Sequence, residues 1–460
     1  MTDYHDFLAR KGLTVQSCGI ENPPAAPNHL FPFQSHCVGF LLRQGRGGLY
    51  LNTGLGKTRC QLAWAAEALR HAGGKALILT PLAVARQIER EGQSLGYDCR
   101  VIRDQTQARA GINICNYDRL HLIDPAAFGA VSLDEASILK SFTGKVSRGL
   151  TEAFSLARFR ISATATPAPN DHMELGTQAQ FLGLMNSNEM LSRWFLNDTG
   201  EASQQWRLKG HAVKDFFDWM ASWARMAERP ADLGDDATDA RFELPPLNIV
   251  RHRTQRSNIK AKDDDLFGAA LVSATNMHDL KRQTAEARAD MVASLLTPDP
   301  WVIWCDTDYE ADALMAAIQG AREVRGSHPV ERKEETLDAF AAGEIKWLIT
   351  KPALTGMGLN WQFCARNAYV GRSFSYESWY QSIRRTWRFG QTAPVEAHIV
   401  VAEGEDHIGR VIDRKAGDHA GMKSAMVDAM RRAQCRAHKT KIDYNPTYMG
   451  SVPAWLKSAV

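Results

Sequence analysis

The sequence predicts an α/β protein with two parallel sheets in tandem. In the first half of the 460-residue chain, short apolar runs typical of strands alternate with helical stretches, and the same alternation begins again near residue 275. Parallel strands need crossover connections, so this alternation indicates parallel sheets whose functional loops lie at the carboxyl ends of the strands. The chain is also longer than one hydrophobic core usually supports, which favours two or more domains.

The predicted organisation has five parts. An aromatic-rich, helical insertion is expected within the first lobe from about residue 171, and its aromatic side chains are expected to pack a subdomain rather than stack on bases. A run of basic residues in helical spacing marks the end of the chain, where it either contacts nucleic acid or forms a solvated helix. The parts are an N-terminal extension (1–27), a first lobe (28–245), a linker (246–274), a second lobe (275–408) and a basic helical tail (409–460).

Composition narrows the class of protein. A hydrophobic content of 44% and a charged content of 23% are ordinary for a globular protein, and a net charge of +3 permits nucleic-acid binding without requiring it. The 8 cysteines include no C-x-x-C pair, so neither a zinc site nor a disulfide framework is indicated. Without a signal-peptide pattern or a long apolar run, we expect a cytoplasmic protein.

The pattern of residues 48–58, GLYLNTGLGKT, predicts a strand followed by a phosphate-binding loop and the start of a helix. Glycines let successive backbone N–H groups converge on phosphate oxygens, and the helix N-terminus favours the same anion. Lys57 is expected to reach the phosphates of ATP, and Thr58 to give its hydroxyl to Mg²⁺. The alternative is a glycine-rich turn with a surface lysine. The loop residues predicted to contact ATP are Thr53, Gly54, Leu55, Gly56, Lys57 and Thr58.

Asp134 and Glu135 follow a short apolar strand. Downstream of a phosphate loop, such a pair supplies one carboxylate for Mg²⁺, here Asp134, and one to orient or deprotonate the attacking water, here Glu135. The alternative is an acidic helix start, favoured by the helix dipole. Upstream, Gln34 follows an aromatic-proline step, and its amide could meet the Hoogsteen edge of adenine; otherwise it is an ordinary residue at a helix start.

Arg385 and Arg388 lie three residues apart in the second lobe, so on a helix they would share a face. Arginines presented by a second domain to a γ-phosphate held by the first stabilise the charge of the transition state. We therefore predict that both act as arginine fingers. The alternatives are a solvated basic face or a contact with DNA phosphates, and the latter two fit Arg384 better.

Together these motifs resemble helicase superfamily two, and within it the Swi/Snf-type double-stranded DNA translocases. The match covers about residues 30 to 410, and its most specific part is Q-x-x-x-R-x-x-R-x-G-Q from Gln381 to Gln391. Asn52 and Thr53 stand where those proteins usually have Asp-Met, and Ser137 where they have His. Matching segments are 53–58 (motif I), 134–137 (motif II), 164–167 with Asn170 (motif III), 355–360 (motif V) and 381–391 (motif VI).

The resemblance implies two RecA-like lobes that use ATP and Mg²⁺ to move along DNA, duplex preferred, as in compact phage or prokaryotic members. It also implies that Gly356 and Gln381 contact the nucleotide. Two rivals remain open: a strand-separating helicase on single-stranded DNA or RNA, and a nucleotide-switched binding module with slow turnover. The expected contacts to nucleic-acid phosphates are Thr80, Asn116, Arg325, Thr350 and Thr355.

Overall fold

A computed structural model describes most of the chain. The described residues are 15–140, 144–169, 171–198, 205–254, 281–355, 360–371, 375–402 and 406–439.

Within these ranges, fifteen strands build two parallel sheets and one hairpin. The first nine are β1 (Arg46–Leu51), β2 (Lys75–Thr80), β3 (Cys99–Val101), β4 (Gly111–Asn116), β5 (Ala130–Asp134), β6 (Phe159–Ala163), β7 (Phe195–Asp198), β8 (Gln205–Leu208) and β9 (Ala224–Ala227). The others are β10 (Leu247–Thr254), β11 (Trp301–Trp304), β12 (Arg322–Val324), β13 (Trp347–Thr350), β14 (Arg366–Tyr369) and β15 (Val395–Ala402).

The first sheet has seven strands in the order β3-β4-β2-β5-β6-β1-β9, and the second has six in the order β10-β15-β14-β11-β13-β12. Every pairing in both sheets is parallel, whereas β7 and β8 form a separate antiparallel hairpin. The predicted α/β class with two parallel sheets is confirmed. Because β1, β5 and β2 are close together in the first sheet, the loops after them converge at one edge.

Helices connect the strands. Those of the first half are α1 (Pro32–Gln44), α2 (Lys57–Ala72), α3 (Leu82–Ser94), α4 (Lys145–Ala153), α5 (Glu174–Leu182), α6 (Ser187–Trp194), α7 (Val213–Ala221) and α8 (Asp236–Asp239). Those of the second half are α9 (Ala285–Leu295), α10 (Asp308–Ala317), α11 (Val330–Ala341), α12 (Pro352–Thr355), α13 (Tyr376–Ile383) and α14 (Asp406–Lys439). Within the described ranges, no helix is both long and apolar enough to cross a membrane.

Two predicted segments differ from expectation. The insertion is not purely helical, because β9 pairs with β1 and extends the first sheet. Its aromatic side chains are buried as predicted; the rings of Trp194 and Trp219, for example, lie 4.8 Å apart. The described part of the predicted linker is also ordered: β10 pairs with β15 along its whole length, so that this segment is an edge strand of the second sheet.

The long helix α14 packs against both halves of the molecule. Near its start, Ile412 contacts a small apolar cluster with Tyr376 and Tyr380 of α13. Further along, Met422, Met426 and Met430 are buried in the core of the first sheet. Methionines four residues apart share one helical face, so this face is apolar and docked.

Two basic residues of α14 form ion pairs with acidic residues from the first half of the chain. Lys423 is only 4% exposed, and its Nζ lies 2.7 Å from Oε1 of Glu228. Arg432 lies 2.7 Å from Asp218 of α7. Both residues are paired within the chain, and binding of nucleic acid by the tail stays a prediction. The part of the predicted basic tail after residue 439 lies outside the described residues.

Candidate active site

The loop between β1 and α2 has the glycine-dependent shape that the sequence predicts. Gly54 and Gly56 have φ angles of +93° and +79°, which side-chain-bearing residues rarely adopt. A Cβ on Gly56 would lie 2.3 Å from Nε2 of Gln34, and one on Gly54 would lie 3.0 Å from Cβ of Phe389. Both positions therefore require glycine for backbone conformation, and Gly56 requires it for space as well.

Lys57 begins α2, directly after this loop. Its Nζ donates a hydrogen bond to the Leu51 carbonyl oxygen at 3.0 Å, so the ammonium group folds back over the loop. Burial lowers the pKa of the Lys57 ammonium, and the nearby carboxyl groups of Glu135 and Asp134 oppose that effect. Thr58 follows on the first turn of the helix and is half-buried.

Gln34 is hydrogen-bonded to the backbone of the phosphate loop. Its Nε2 donates to the carbonyl oxygen of Leu55 at 2.9 Å, and its Oε1 accepts from the backbone N–H of Phe31 at 3.0 Å. The side chain is 1% exposed. In this conformation Gln34 fixes the phosphate-loop backbone and the start of α1, and its predicted contact with adenine stays a prediction.

Asp134 ends β5 and is held by two donors. Gln61 Nε2 donates to Oδ1 at 2.9 Å, and Thr80 Oγ1 donates to Oδ2 at 3.0 Å. Ser132 in turn donates to Gln61 Oε1 at 2.6 Å, which orients the amide. The carboxylate is 5% exposed. Each of its oxygens retains a free lone pair for a cation, and its direction is fixed by neighbouring strands and by α2.

Glu135 has a backbone φ of +51°, and no other non-glycine residue in the described ranges has a positive φ. Such a conformation costs of order 1–3 kcal/mol and occurs preferentially where function requires a particular side-chain direction. Burial raises the pKa of Glu135; Lys57 opposes the rise, Asp134 adds to it, and Arg385 opposes it. The side chain therefore lies among the groups that the sequence analysis assigned to one site.

Arg385 and Arg388 do not lie on a helix, because α13 ends at Ile383 and the chain continues in turns. The expectation of a shared helical face is therefore wrong. Arg385 is 4% exposed; burial lowers its pKa to about 9, and Glu135 opposes this effect. Burial lowers the pKa of Arg388 to about 10, with Arg384 adding to the effect and Glu91 opposing it. The acidic pair therefore influences Arg385 rather than Arg388.

Helix α13 contacts two segments from the first half of the chain. Glu377 Oε2 lies 2.6 Å from Nζ of Lys140, which follows the acidic pair. Three residues later, the Tyr380 hydroxyl donates to Oδ1 of Asn52 at the start of the phosphate loop. Gln381 donates to Glu377 Oε1 at 3.3 Å. One face of α13 thus touches both the phosphate loop and the segment after the acidic pair.

Four of the five residues predicted to contact nucleic acid form hydrogen bonds or ion pairs within the chain. Thr80 and Thr350 are fully buried, and their hydroxyls donate to Asp134 and, at 3.4 Å, to the Val324 carbonyl oxygen. In this conformation neither hydroxyl is exposed, and the predicted contacts of Thr80 and Thr350 with nucleic acid stay predictions. Asn116, 8% exposed, accepts from the Arg119 N–H at 3.0 Å. Arg325 pairs with Glu323 at 2.6 Å and with Asp312.

Several predicted residues lie wholly or partly outside what the structure describes. Gly356, with the rest of 356–359, and Asn170 are outside the described residues, and nothing is described of the Thr355 side chain. Conversely, no sequence motif described above includes Gln61, Tyr117 or Tyr380 as a site residue. Gln61 could have been found, because it lies four residues after Lys57 and hence on the same face of α2. Tyr117, whose hydroxyl donates to the Asp134 carbonyl oxygen at 2.6 Å, carries no such signal.

Two comparisons with known proteins found no match. No protein-family model matches the chain, and no curated protein matches it.

Proposed function

We propose that the chain is an ATP-hydrolysing motor of helicase superfamily two, Swi/Snf type, in which two RecA-like lobes close on ATP and Mg²⁺ and move along DNA. One observation carries the proposal. Lys57, Asp134, Glu135 and Arg385 come from three separate segments, yet each affects the ionisation of at least one other. A cation at a glycine loop, two carboxylates at the end of another strand of the same sheet and an arginine from the second half of the chain are the groups that phosphoryl transfer requires.

In this proposal the loop N–H groups between Gly54 and Thr58 and the start of α2 bind the phosphates. Lys57 would leave the Leu51 carbonyl oxygen and bind a phosphate oxygen instead. Thr58 and Asp134 would hold Mg²⁺, which neutralises charge on the phosphates when bound. The fit is supported by Asp134, whose carboxylate is fixed in place by Gln61 and Thr80.

Glu135 would orient the attacking water and accept its proton. Its raised pKa makes the carboxylate a stronger base than an ordinary glutamate, provided that the pH is high enough to ionise it. Arg385 would stabilise charge that develops during the transfer, since it is buried and lies close enough to Glu135 to affect its pKa. Because Arg385 follows α13, hydrolysis would depend on how the two sheets are placed together.

We propose DNA as the partner, with duplex DNA preferred and bound mainly through phosphates. Such binding is largely independent of sequence and weakens steeply with salt. The five contacts expected from the sequence remain predictions, and two of them, Thr80 and Thr350, are fully buried in this conformation.

The test is steady-state ATP turnover of the parent protein and Lys57→Ala without nucleic acid, and with single-stranded DNA, duplex DNA or RNA. We expect duplex DNA to stimulate ATP turnover of the parent protein strongly, and we expect Lys57→Ala to lose this stimulated turnover. A preference for single strands or RNA would instead support a strand-separating helicase. A turnover rate that no nucleic acid changes would support a nucleotide-switched binding module.

A further inference from the structure

The Tyr380 hydroxyl and a backbone N–H of the phosphate loop donate hydrogen bonds to the same oxygen atom. Oδ1 of Asn52 accepts the backbone N–H of Thr53 at 2.8 Å and also the hydroxyl of Tyr380. Asn52 is 7% exposed and Tyr380 is 9% exposed, so water has little access to compete for these bonds. A residue of α13 thus binds the side chain that sets the entry to the loop.

The other polar groups of Asn52 tie it to the first sheet. Its backbone N–H donates to the Ala227 carbonyl oxygen at 2.9 Å, and its carbonyl oxygen accepts from the Leu55 N–H at 3.2 Å. Its Nδ2 donates to the Glu228 carbonyl oxygen at 3.5 Å. Asn52, which follows β1, is therefore hydrogen-bonded to the end of β9, to the residue after it and to the phosphate loop itself. Tyr380 adds a bond from the second half of the chain.

Helix α14 holds Tyr380 from the opposite side. Nζ of Lys423 lies 5.4 Å from the centre of the Tyr380 ring, within range of a cation–π contact, and the same ammonium pairs with Oε1 of Glu228 at 2.7 Å. A closed circuit results, running from Asn52 to Tyr380, Lys423, Glu228 and back to Asn52. All four residues line one cleft of about 350 Å³ beside the loop.

Apolar packing alone does not account for this arrangement. Tyr376 lies one turn earlier on α13, is 7% exposed and packs against Ile412 beside Tyr380, yet its hydroxyl makes no hydrogen bond to the phosphate loop. A tyrosine ring on this part of α13 can therefore pack without a hydrogen bond from its hydroxyl to the loop. The Tyr380 hydroxyl adds something separate, a directional bond to Asn52.

We propose that Tyr380 is a positioning residue for ATP turnover, which sets the phosphate loop through Asn52 when the two sheets are together and is itself held by Lys423. The inference rests on the proposed ATPase function and identifies how the second lobe acts on the loop. Because the bond forms only when α13 meets the loop, its loss should affect the rate of the closed state more than the binding of ATP to the first lobe.

The test compares Tyr380→Phe with Tyr376→Phe, which removes a hydroxyl from the same helix without touching Asn52. Loss of one hydrogen bond should lower kcat of Tyr380→Phe about three- to ten-fold. The KM for ATP should stay within about two-fold of the parent value, because the loop glycines and Lys57 are intact. Tyr376→Phe should keep the parent kcat, and thermal unfolding of both variants should show whether either is misfolded.

A double-mutant cycle that combines Tyr380→Phe with Asn52→Ala is the second part of the test. If Tyr380 acts through Asn52, the hydroxyl deletion should change kcat little once Asn52 is alanine. Independent, multiplying effects would overturn the proposal, as would an unchanged kcat of Tyr380→Phe in a parent protein that hydrolyses ATP. A parent protein with no ATP turnover under any condition would overturn the proposed function first, and this inference with it.

Discussion

Thr80 offers a direct comparison between the role expected from its position at a strand end and the role that its contacts indicate. The hydroxyl donates to Oδ2 of Asp134 at 3.0 Å, and Gln61 is the donor to Oδ1 at 2.9 Å. Thr80→Val keeps the shape of this fully buried side chain and removes only its donor. Asp134 would then be held from one side and would be less well oriented toward a cation.

The size of the effect follows from the lost bond. A hydrogen bond to a charged group contributes roughly 1.5–3 kcal/mol, which corresponds to about 10- to 150-fold in a rate or a binding constant. Loss of an outer-sphere partner of a metal ligand costs about 10- to 100-fold in metal affinity or activity, which agrees with this range. We expect Thr80→Val to lower ATP turnover by about this factor, or to raise the Mg²⁺ concentration needed for it.

The assay is ATP turnover as Mg²⁺ is varied, together with DNA affinity measured by fluorescence anisotropy. A matched control is Thr177→Val: Thr177 is also buried, and its hydroxyl donates at 2.7 Å to a carbonyl oxygen of its own helix, remote from Asp134 in sequence. This control should keep the parent Mg²⁺ requirement. If Thr80→Val keeps parent turnover and Mg²⁺ dependence but binds DNA more weakly, the structural reasoning is refuted and the phosphate contact predicted from the sequence is supported.

Three further variants test other parts of the site and fold. Glu135→Gln should bind ATP and Mg²⁺ but stop turnover, and the parent kcat should fall on acidification through a pKa above the ordinary glutamate value, because the protonated acid cannot accept a proton; turnover at the parent rate would remove Glu135 from this role. Arg385→Ala should lower kcat on the order of a thousand-fold with ATP affinity spared, and more than Arg388→Ala, since the acidic pair influences Arg385; the reverse order would contradict the assignment. His419→Gln tests the packing of α14: burial, then Lys423 and His172, lowers the pKa of His419 to about 3, beside the Tyr376 and Tyr380 rings. The unfolded chain gains this proton below about pH 6.5, so the folded parent loses about 2 kcal/mol from this group by pH 5. Urea unfolding at pH 7 and pH 5 should show a smaller loss in the variant.

The parts of the site that could be predicted are those written in consecutive residues. Gly54, Gly56 and Lys57 lie within one short segment whose spacing dictates a loop and a helix start, and the structure places them so. Asp134 was predictable as the end of an apolar strand. In each case a pattern of consecutive residues predicts where in the loop, helix or strand the residue lies.

What could not be predicted depends on which strands are neighbours. Thr80 meets Asp134 because β2 lies beside β5, and strand order is not written in the alternation of apolar runs. The four residues of β9 are too short to show a periodic pattern, although they complete the first sheet. The positive φ of Glu135 is likewise set by tertiary contacts, since glutamate does not favour that conformation.

The path of α14 limits how the two sheets can move relative to each other. The second sheet is joined to the first by the chain between β9 and β10, and again by the half of α14 that carries Met422, Met426 and Met430 into the first core. A rigid body attached at two places keeps one rotational degree of freedom, about the line through both attachments. Gly417 and Gly421 lie on α14 between Ile412 and Met430, and a Cβ on either would meet nothing within 4 Å. Glycine weakens a helix by roughly 1 kcal/mol per residue, so any such rotation would bend α14 most easily there.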